Sequence, residues 1–445
     1  MRFRAPFAFL VVVLGVAAPL RAQTPPPVRP IGPVLATSTE PFASVSQVRA
    51  LPGGRVIMHD LTGRRVVMLD STFKNVTVIA DTTGATASAY GSRLGGLVTY
   101  HGDSTLFVDP QSISMLVIDG NGKIVRTMAA PLPNEVNQLI GGQNGTPGFD
   151  AQGRLVYRAR LVLTPAMQRA MGAAAGRGAF QMPVIPESSY VVRVDLKTRK
   201  VDTAAVFRIP KIGVSVNRDE NTGAISVITT VNPIPWTDDW ALLADGTLAV
   251  VRGQDYRVDF VAADGTVRSS PKLPFDWQRL SDEDKTAIVD STKTQMDKLR
   301  AAQIAQAQAM NPNINVNAPD TSKGGRQRPQ GDNATITLGG RGAAGTAVSF
   351  SMPPVSFVSP SEMPDYRPPF RQGAALGDPA GNLWIRTSKS VNGGPVYDVI
   401  SIKGELTDRI LIPPGRVIAG FGPGGVVYMG VVDGTITHLE RARVR

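Results

Sequence analysis

A short turn-and-strand pattern recurs six times along the chain and constrains its fold more than any other feature. In its clearest copy, 377–386, a polar turn ends at Gly381 and an apolar strand follows from Leu383. Self-similarity at about 40–50 residues is the signature of stacked or radially arranged units. Three of the five spacings fit one four-stranded unit, and the other two require insertions. The first apolar residues of the six copies are Val56, Leu106, Leu155, Leu248, Leu383 and Val426.

A second turn follows most copies of this pattern. Asp119-Gly120, Asp264-Gly265 and Lys403-Gly404 each stand between two apolar runs. Asp and Gly supply the positive-φ positions that a short turn between antiparallel strands requires, so each pair predicts a hairpin. Strands and tight turns repeated in this way are typical of propeller blades. The sequence therefore predicts an all-β protein, a six-bladed β-propeller.

The last repeat is one strand short of a full blade. After the strand predicted at 434–440, the chain ends at Arg445 before a fourth strand. An unpaired edge would leave backbone donors and acceptors without partners. The strand-like segment 34–39 precedes the first repeat and can supply the missing strand. We therefore expect an N-terminal strand to close the ring, with 34–445 forming a single propeller.

Long insertions interrupt the repeat at three places, 163–188, 211–235 and 276–370. In the third, a Ser stands before three acidic residues at 281–284, which predicts the start of a helix that runs to about Ala309. Asn, Gly, Pro and charged residues dominate 311–345, where we expect disorder. The insertion between blades 4 and 5 is therefore predicted to be helical and partly disordered.

The first residues resemble an export signal. Residues 1–22 begin with Arg2 and Arg4, continue with an apolar run over 7–18 and end at a small residue, Ala22. This arrangement is typical of a cleaved signal peptide, and the run is too short to span a bilayer comfortably. An uncleaved anchor is the alternative. We expect an exported bacterial protein, periplasmic or secreted, with a Pro-rich leader at 23–33 and no transmembrane span.

Composition agrees with an exported globular β-protein. Hydrophobic residues make up 42% of the 445-residue chain, enough for a large core, and 45 Gly and 35 Pro fit frequent turns. The chain has no Cys, so the fold does without disulfides. The formal charge of +11 favours a generally basic surface, with a polyanion-binding or anionic-membrane face as the alternative. We expect a monomer that does not bind nucleic acid.

Common catalytic signatures are missing from the sequence. The glycine-rich segment 340–345 matches a dinucleotide fingerprint, but no helix pattern follows it. The three histidines, His59, His101 and His438, are not spaced as zinc ligands. No G-x-S-x-G elbow is present, and without Cys there is no thiol nucleophile. The sequence therefore favours binding over catalysis.

Two adjacent carboxylates are the candidate metal ligands. Asp238 and Asp239 lie between Trp236 and Trp240, just before the fourth copy of the repeat. That position predicts the innermost strand of a blade, where carboxylates could coordinate Ca²⁺ near the propeller axis. The alternative is that both side chains cap or hydrogen-bond the local backbone. No other cofactor is expected.

Propeller topology predicts which end of the molecule carries the ligand. The Asp-x-x-Gly turns mark one face, the bottom, and all three insertions project from the opposite face, the top. Each second strand reaches the top three or four residues after its first apolar residue, and arginines are frequent there. With an aromatic neighbour they could hold an anionic or carbohydrate ligand, although charged strand ends are also common. The predicted ligand-binding residues are Arg158, Arg252, Tyr256, Arg386 and His59.

The repeat resembles that of a known superfamily. Its turn-strand copies, such as 150–157 and 378–385, with the Asp-Gly turn that follows, resemble the six-bladed propellers of the NHL-repeat and gluconolactonase-like superfamily. The resemblance covers roughly 42–276 and 373–445. It implies a fold shared by binding proteins, scaffolds, hydrolases and lyases. Enzymes of this superfamily typically use an axial metal held by Glu, Asn and Asp, or a His/Glu pair.

Two functions follow from these observations. The first is an exported module that binds a small molecule, a glycan or a protein partner on its top face without catalysis. The alternative is a Ca²⁺-dependent hydrolase or lyase of the gluconolactonase-like kind, with Asp238 and Asp239 at the metal. Calcium retained by the purified protein would favour the second.

Overall fold

The regular structure in the computed structural model of this chain consists mostly of β-strands. The structure describes residues 24–83, 89–91, 94–161, 186–218, 225–310, 314–317, 335–338, 348–351 and 355–444. In this part of the chain, six sheets, each with four strands in antiparallel order, form the blades of a propeller, and two three-stranded sheets lie in the insertions. The predicted six-bladed β-propeller is confirmed.

The strands follow the order of the blades along the chain. The N-terminal strands are β1 (Val28–Pro30) and β2 (Val34–Thr37). Blade 1 contains β3 (Gln47–Ala50), β4 (Val56–Asp60), β5 (Arg65–Leu69) and β6 (Val76–Asp81). Blade 2 contains β7 (Gly96–Thr99), β8 (Thr105–Asp109), β9 (Ser114–Ile118) and β10 (Ile124–Ala129). Blade 3 contains β11 (Gly148–Phe149), β12 (Leu155–Arg158), β13 (Ser188–Val194) and β14 (Val201–Arg208).

The second half of the chain carries the insertions and the remaining blades. An insertion sheet begins with β15 (Gly213–Arg218) and β16 (Ile225–Val231), and blade 4 contains β17 (Asp239–Leu242), β18 (Leu248–Arg252), β19 (Arg257–Val261) and β20 (Val267–Ser269). Helix α1 (Asp282–Met310) and strands β21 (Ile314–Asn317), β22 (Thr335–Leu338), β23 (Val348–Ser351) and β24 (Val355–Phe357) follow. Blade 5 contains β25 (Phe370–Gly377), β26 (Leu383–Val391), β27 (Gly394–Ile400) and β28 (Leu406–Leu411). Blade 6 contains β29 (Arg416–Gly422), β30 (Val426–Asp433) and β31 (Ile436–Arg443).

The recurring turn owes its shape to its Asp and Gly. In the copy that begins at Asp378, the carboxylate accepts the backbone N–H groups of Ala380 and Asn382 at 2.9 and 2.8 Å. Gly381 has φ +84°, a conformation that a residue with a Cβ rarely adopts. Asp150 caps its own turn in the same way. The turn is therefore specified locally, which is why it can be read from the sequence.

Two N-terminal strands pair with the last two blades, and one of them completes the ring. Strand β2 pairs antiparallel with β31, from Val34 opposite Ala442 to Thr37 opposite Glu440, and becomes the fourth strand of blade 6. This confirms the predicted closure by the N-terminus. In addition, β1 pairs parallel with β28 and gives blade 5 a fifth strand from within the Pro-rich leader. An ion pair between Arg29 and Asp408 supports this addition.

The core lies between neighbouring blades. Alternate side chains of each strand face the blade on either side, as the pleat of a strand requires. Leu383 and Ile385 of β26, for example, pack against Ala249 and Val251 of blade 4, whereas Trp384 packs towards Val427 of blade 6. A residue's position within its strand therefore decides which inter-blade boundary it faces.

All three insertions connect strands at the top. They follow β12, β14 and β20, whose ends lie opposite the Asp-x-x-Gly turns. The predicted helix is confirmed as α1, and its Ile288 packs against Ile234, Leu280 and Met363.

Of 311–345, only β21 and β22 belong to the described residues. The predicted signal peptide, most of the 163–188 insertion and the glycine-rich 340–345 lie outside them. Among the helices described, none is long and apolar enough to cross a membrane.

Candidate functional site

The linker between blades 2 and 3 crosses the propeller axis at the top. We call residues Pro133–Ile140 and Gly142–Asn144, which form two 3₁₀ helices, the axial plug. Gln47 of blade 1 donates a hydrogen bond from Nε2 to the Ile140 carbonyl at 3.1 Å, and Trp240 of blade 4 donates from Nε1 to the Asn144 carbonyl at 3.1 Å. A linker that touches the inner strands of blades on both sides of the ring must pass over its centre.

The inner strands of blades 2 and 5 also contact the axial plug. A Cβ at Gly96 of β7 would collide with the Ile140 backbone, so this close approach requires glycine. On the far side, Gly373 of β25 lies beside Gln143. The axial plug therefore covers the top of the channel along the axis, where the sequence predicted a metal.

Asp239 connects blade 4 to blade 5 instead of pointing into a free cavity. The side chain is 1% exposed, and its Oδ2 accepts the N–H of Ala375 at 2.8 Å. Burial raises the pKa of Asp239 to about 7, against the opposing effect of backbone N–H groups from Ala375, Trp240, Ala374 and Gly373. The carboxylate therefore links the inner strands of blades 4 and 5 through backbone hydrogen bonds.

Asp238 and Arg252 form a second local network at the boundary of blades 3 and 4. Asp238 accepts the backbone N–H groups of Arg208 and Gly253 at 3.0 and 3.1 Å, and Arg252 donates to it from Nη1 at 2.9 Å. Arg252 also donates from Nε to Asp259 at 2.7 Å. Within the described residues, no three His, Asp or Glu side chains are grouped as metal ligands. Calcium binding by Asp238 and Asp239 stays a prediction.

Arg158 lies at the same boundary but has fewer partners. It alternates with Val156, which packs against Trp240 of blade 4, so both side chains face blade 4. Its Nε donates to Ser189 Oγ at 3.3 Å, and its guanidinium lies 5.4 Å from the centre of the Phe207 ring. Burial lowers the pKa of Arg158. Among the described residues, no carboxylate lies within ion-pairing distance of this arginine.

The three predicted arginines do not form one cluster. Arg158 and Arg252 both face the boundary of blades 3 and 4, because Arg252 alternates with Leu248 and Val250, which pack there. Arg386 is exposed and lies on the other side of blade 5, since it alternates with Trp384, which packs towards blade 6. The structure therefore brings two of the three together and separates the third.

His59 and Tyr256 are both buried. His59 is 1% exposed, and its ring lies 5.2 Å from Phe107 and 6.5 Å from Tyr90 in edge-on contacts. Burial lowers the pKa of His59 to about 4. Tyr256 is fully buried, and its hydroxyl donates to Asp398 Oδ2 at 2.6 Å. Both side chains belong to the core, and Tyr256 supports the floor of the pocket described next.

A pocket of about 130 Å³ opens in the cleft between blades 4 and 5, towards the top face. We call it the cleft pocket. Residues from the linker after β20 form one side, and residues from the upper half of β26 form the other. The lining residues are Phe275, Asp276, Gln278, Arg367, Thr387, Ser388, Lys389, Asp398 and Arg409.

The floor of the cleft pocket is a buried ion pair. Asp398 is 1% exposed, with Oδ1 3.2 Å from Nε of Arg409 and Oδ2 bonded to Tyr256. Burial raises the pKa of Asp398, while the Tyr256 hydroxyl and the Arg409 charge oppose the rise. Arg409 also donates from Nη2 to the Pro274 carbonyl at 2.8 Å. The opposite charges of Asp398 and Arg409 therefore offset each other at the floor of the pocket.

The rim of the cleft pocket carries two more cations. Lys389 contacts Asp276 at 2.9 Å, in a pair whose side chains are 40% and 74% exposed. Arg367 donates from Nε to Gln278 Oε1 at 3.0 Å, and no carboxylate of the described residues lies within ion-pairing distance of it. The rim can therefore offer charged donors to a ligand.

Sequence reasoning missed the cleft pocket, although part of its signal was present. Thr387, Ser388 and Lys389 follow Arg386 directly, at the strand end where ligand residues were expected. The aromatic pair Phe275 and Trp277 follows the last strand of blade 4. The sequence did not indicate that the 276–370 insertion returns to the propeller and places Arg367 beside Gln278.

The comparisons with known proteins concern the fold. No protein-family model matches the chain, and no curated protein matches it. The chain is similar to the solved structure of the calcium-binding protein regucalcin from Agrobacterium tumefaciens, at 12% identity and a TM-score of 0.37, with 94% of this chain and 98% of that chain covered.

Two enzymes are among the other similar structures. A gluconolactonase from Xanthomonas campestris is 12% identical, with a TM-score of 0.33 and coverage of 93% of this chain and 99% of that chain. Virginiamycin B lyase from Staphylococcus aureus is 9% identical, with a TM-score of 0.33 and coverage of 93% and 99%. The assignment of six blades rests on the sheets and strand pairings of this chain itself.

Proposed function

We propose that this protein is an exported, non-catalytic module that binds a ligand in the cleft pocket on the top face of its propeller. The observation that carries the proposal is the pocket itself, in which Phe275 offers an apolar wall and Arg367 and Lys389 offer charged donors at the rim. Ligand sites commonly combine an apolar lining with a few polar groups in this way.

The axial plug supports a site away from the axis. Asn144 and Ile140 are hydrogen-bonded to inner strands on opposite sides of the ring, so a ligand at the top of the channel would have to displace them. The cleft pocket requires no such displacement. It also lies beside both ends of the largest insertion, which connects β20 to β25.

The chemistry of the lining favours binding over catalysis. A general base needs an oxygen or nitrogen that is free to accept a proton from the substrate. The buried carboxylate of the pocket, Asp398, has one oxygen bonded to Tyr256 and the other beside Arg409. No His or Cys is among the lining residues.

A metal-dependent hydrolase or lyase is the alternative function, and elemental analysis separates the two. Stoichiometric calcium retained by the mature protein after dialysis would favour the alternative, with Asp238 and Asp239 as the residues to substitute. We expect instead a stable fold whose melting temperature does not change on addition of a chelator.

Export is part of the proposal and has a test of its own. We propose that residues 1–22 are removed and that the mature protein is a periplasmic or secreted monomer. Mass spectrometry of protein recovered outside the cytoplasm of an expressing bacterium should then give a chain that starts at or near Gln23. An intact Met1 would contradict this.

A ligand panel with two matched variants tests the site. A ligand that binds only the folded state raises its melting temperature. Ser388→Trp would fill the cleft pocket, whereas Ser71→Trp changes an exposed turn on the bottom face. Compounds that stabilise the parent protein should stabilise Ser71→Trp equally and should not stabilise Ser388→Trp. Equal stabilisation of both variants would contradict the proposed site.

A further inference from the structure

The geometry points to a monocyclic carboxylic acid as the ligand of the cleft pocket, with its ring against Phe275 and its carboxylate at Arg367 and Lys389. This inference rests on the proposed function and names the ligand class of the same site. The ring can be aromatic or that of a sugar acid, because an aromatic ring and the C–H face of a sugar ring can both pack on an aromatic side chain, and each ligand carries one carboxylate.

The volume of the pocket fits one ring. The cleft pocket measures about 130 Å³. An apolar cavity of about 150 Å³ accommodates benzene. A single six-membered ring therefore fills the space, whereas a second ring would have to lie outside it.

An aromatic wall faces this space. The Phe275 ring is held by edge-on contacts with Tyr256 and Trp277, both at 5.3 Å between ring centres. Trp277 is 39% exposed and lies 6.0 Å from Trp236, so the aromatic surface continues towards solvent. A fixed aromatic face stabilises a flat ring through offset or edge-on packing.

The guanidinium of Arg367 is oriented but not neutralised. Its Nε is bonded to Gln278 Oε1 at 3.0 Å, and its backbone N–H donates to the Gln278 carbonyl at 2.9 Å. The first contact orients the side chain and the second holds the backbone of Arg367. Its two terminal nitrogens have no carboxylate of the described residues within ion-pairing distance. A guanidinium fork binds carboxylates through two parallel hydrogen bonds.

Lys389 and the pocket floor add to the preference for a ligand with one negative charge. Lys389 shares its charge with Asp276 in an exposed pair, and such pairs contribute little, so a ligand carboxylate can compete for the ammonium group. Asp398 does not oppose this, because Arg409 and Tyr256 contact its two oxygens. With two Arg and one Lys against two Asp, the lining favours one negative charge.

Matched ligands and variants test the inference by calorimetric titration of the mature protein. Benzoate is compared with benzyl alcohol, and glucuronate with glucose, so that each pair differs mainly in the carboxylate. Arg367→Gln removes the charge at the pocket, and Arg126→Gln removes an exposed charge on blade 2. We expect at least one acid to bind about tenfold or more tightly than its neutral partner, and Arg367→Gln alone to abolish that difference.

Three outcomes would contradict the inference. They are equal binding of an acid and its neutral partner, the same effect of Arg126→Gln and Arg367→Gln, and no binding of either acid. The proposed function is judged separately. If a panel compound of another chemical class binds the parent protein but not Ser388→Trp, the proposed site is supported and only the carboxylic acid is rejected as its ligand. Binding of the acid that Ser388→Trp leaves intact would reject both.

Discussion

The N–H of Ala375 in blade 5 donates a hydrogen bond of 2.8 Å to the buried carboxylate of Asp239 in blade 4. This contact joins two inner strands directly below the axial plug. The carboxylate is one that the sequence predicted as a metal ligand, and burial raises its pKa. The same boundary holds the cleft pocket.

The first prediction concerns the pH dependence that Asp239 imposes. Its pKa is raised to about 7 in the fold, so the folded state holds a proton that the unfolded state releases near pH 4. Stability from this group is fully present below about pH 4 and is lost as pH rises to about 7. Asp239→Asn carries no charge at either pH. The unfolding free energy of Asp239→Asn minus that of the parent should therefore be about 2–4 kcal/mol larger at pH 8 than at pH 4.5.

Urea unfolding at the two pH values measures this difference. Asp433→Asn, which removes an exposed carboxylate, is the control and should follow the parent at both. A parallel pH dependence in Asp239→Asn and the parent would mean that Asp239 does not titrate in this range.

The second prediction has the opposite sign and concerns His59. Burial lowers its pKa to about 4, so the folded state keeps the ring neutral while the unfolded state gains a proton below about pH 6.5. Stability from this group is present above about pH 6.5 and is lost as pH falls towards 4. The loss of unfolding free energy between neutral pH and about pH 4 should be about 3 kcal/mol smaller in His59→Phe than in the parent. His101→Phe, at an exposed position, should lose as much as the parent.

Thermal unfolding of both variants from pH 7.5 to pH 4.5 is the measurement. The aromatic replacement suits a site lined by Phe107 and Tyr90, where none of the described residues forms a hydrogen bond with His59 Nδ1. If His59→Phe loses stability with acid as steeply as the parent, the histidine is not held neutral.

The third prediction separates two arginines that look equivalent in the sequence. Arg252 contacts the carboxylates of Asp238 and Asp259, which are 9% and 6% exposed. Arg252→Gln removes the cation that pairs with Asp238 and leaves Asp259 with Arg257 alone. We expect a loss of about 2 kcal/mol or more. Arg386→Gln changes an exposed residue and should stay within about 0.5 kcal/mol of the parent. Equal melting temperatures for the two variants would contradict the ion-pair network.

The fourth prediction separates the contributions of the two N-terminal strands, β1 on blade 5 and β2 on blade 6. A chain that begins at Pro33 loses β1 and the buried side chain of Ile31, which should cost about 2–3 kcal/mol. A chain that begins at Glu40 also loses β2 and exposes the edge of β31, and it should unfold at a much lower urea concentration or fail to fold. If both truncations behave alike, β2 does not close the ring.

The fold could be predicted because its signals are local. The turn at Asp378 and Gly381 contains its own hydrogen bonds and its own positive-φ residue, so four neighbouring residues specify it. The closure of the ring by β2 could be predicted because the last repeat is one strand short of a full blade. The pairing of β1 could not be anticipated, because a Pro-rich segment carries no strand pattern.

The site could not be predicted to the same degree, because its geometry depends on residues far apart in sequence. Tyr256 and Asp398 meet across 142 positions. Arg252 and Arg386 occupy similar strand positions, yet one faces two carboxylates and the other faces solvent. Strand periodicity indicates that a side chain reaches the top, but the partner it finds there depends on the neighbouring blade.

A crystal structure of the mature protein with the tightest ligand from the panel would locate the binding site. We expect the ligand in the cleft pocket, in contact with Phe275 and Ser388 and within hydrogen-bonding distance of Arg367. The axial plug should keep its hydrogen bonds to Gln47 and Trp240. A ligand bound on the propeller axis with the axial plug displaced, or beside Arg158 at the boundary of blades 3 and 4, would contradict the proposed site.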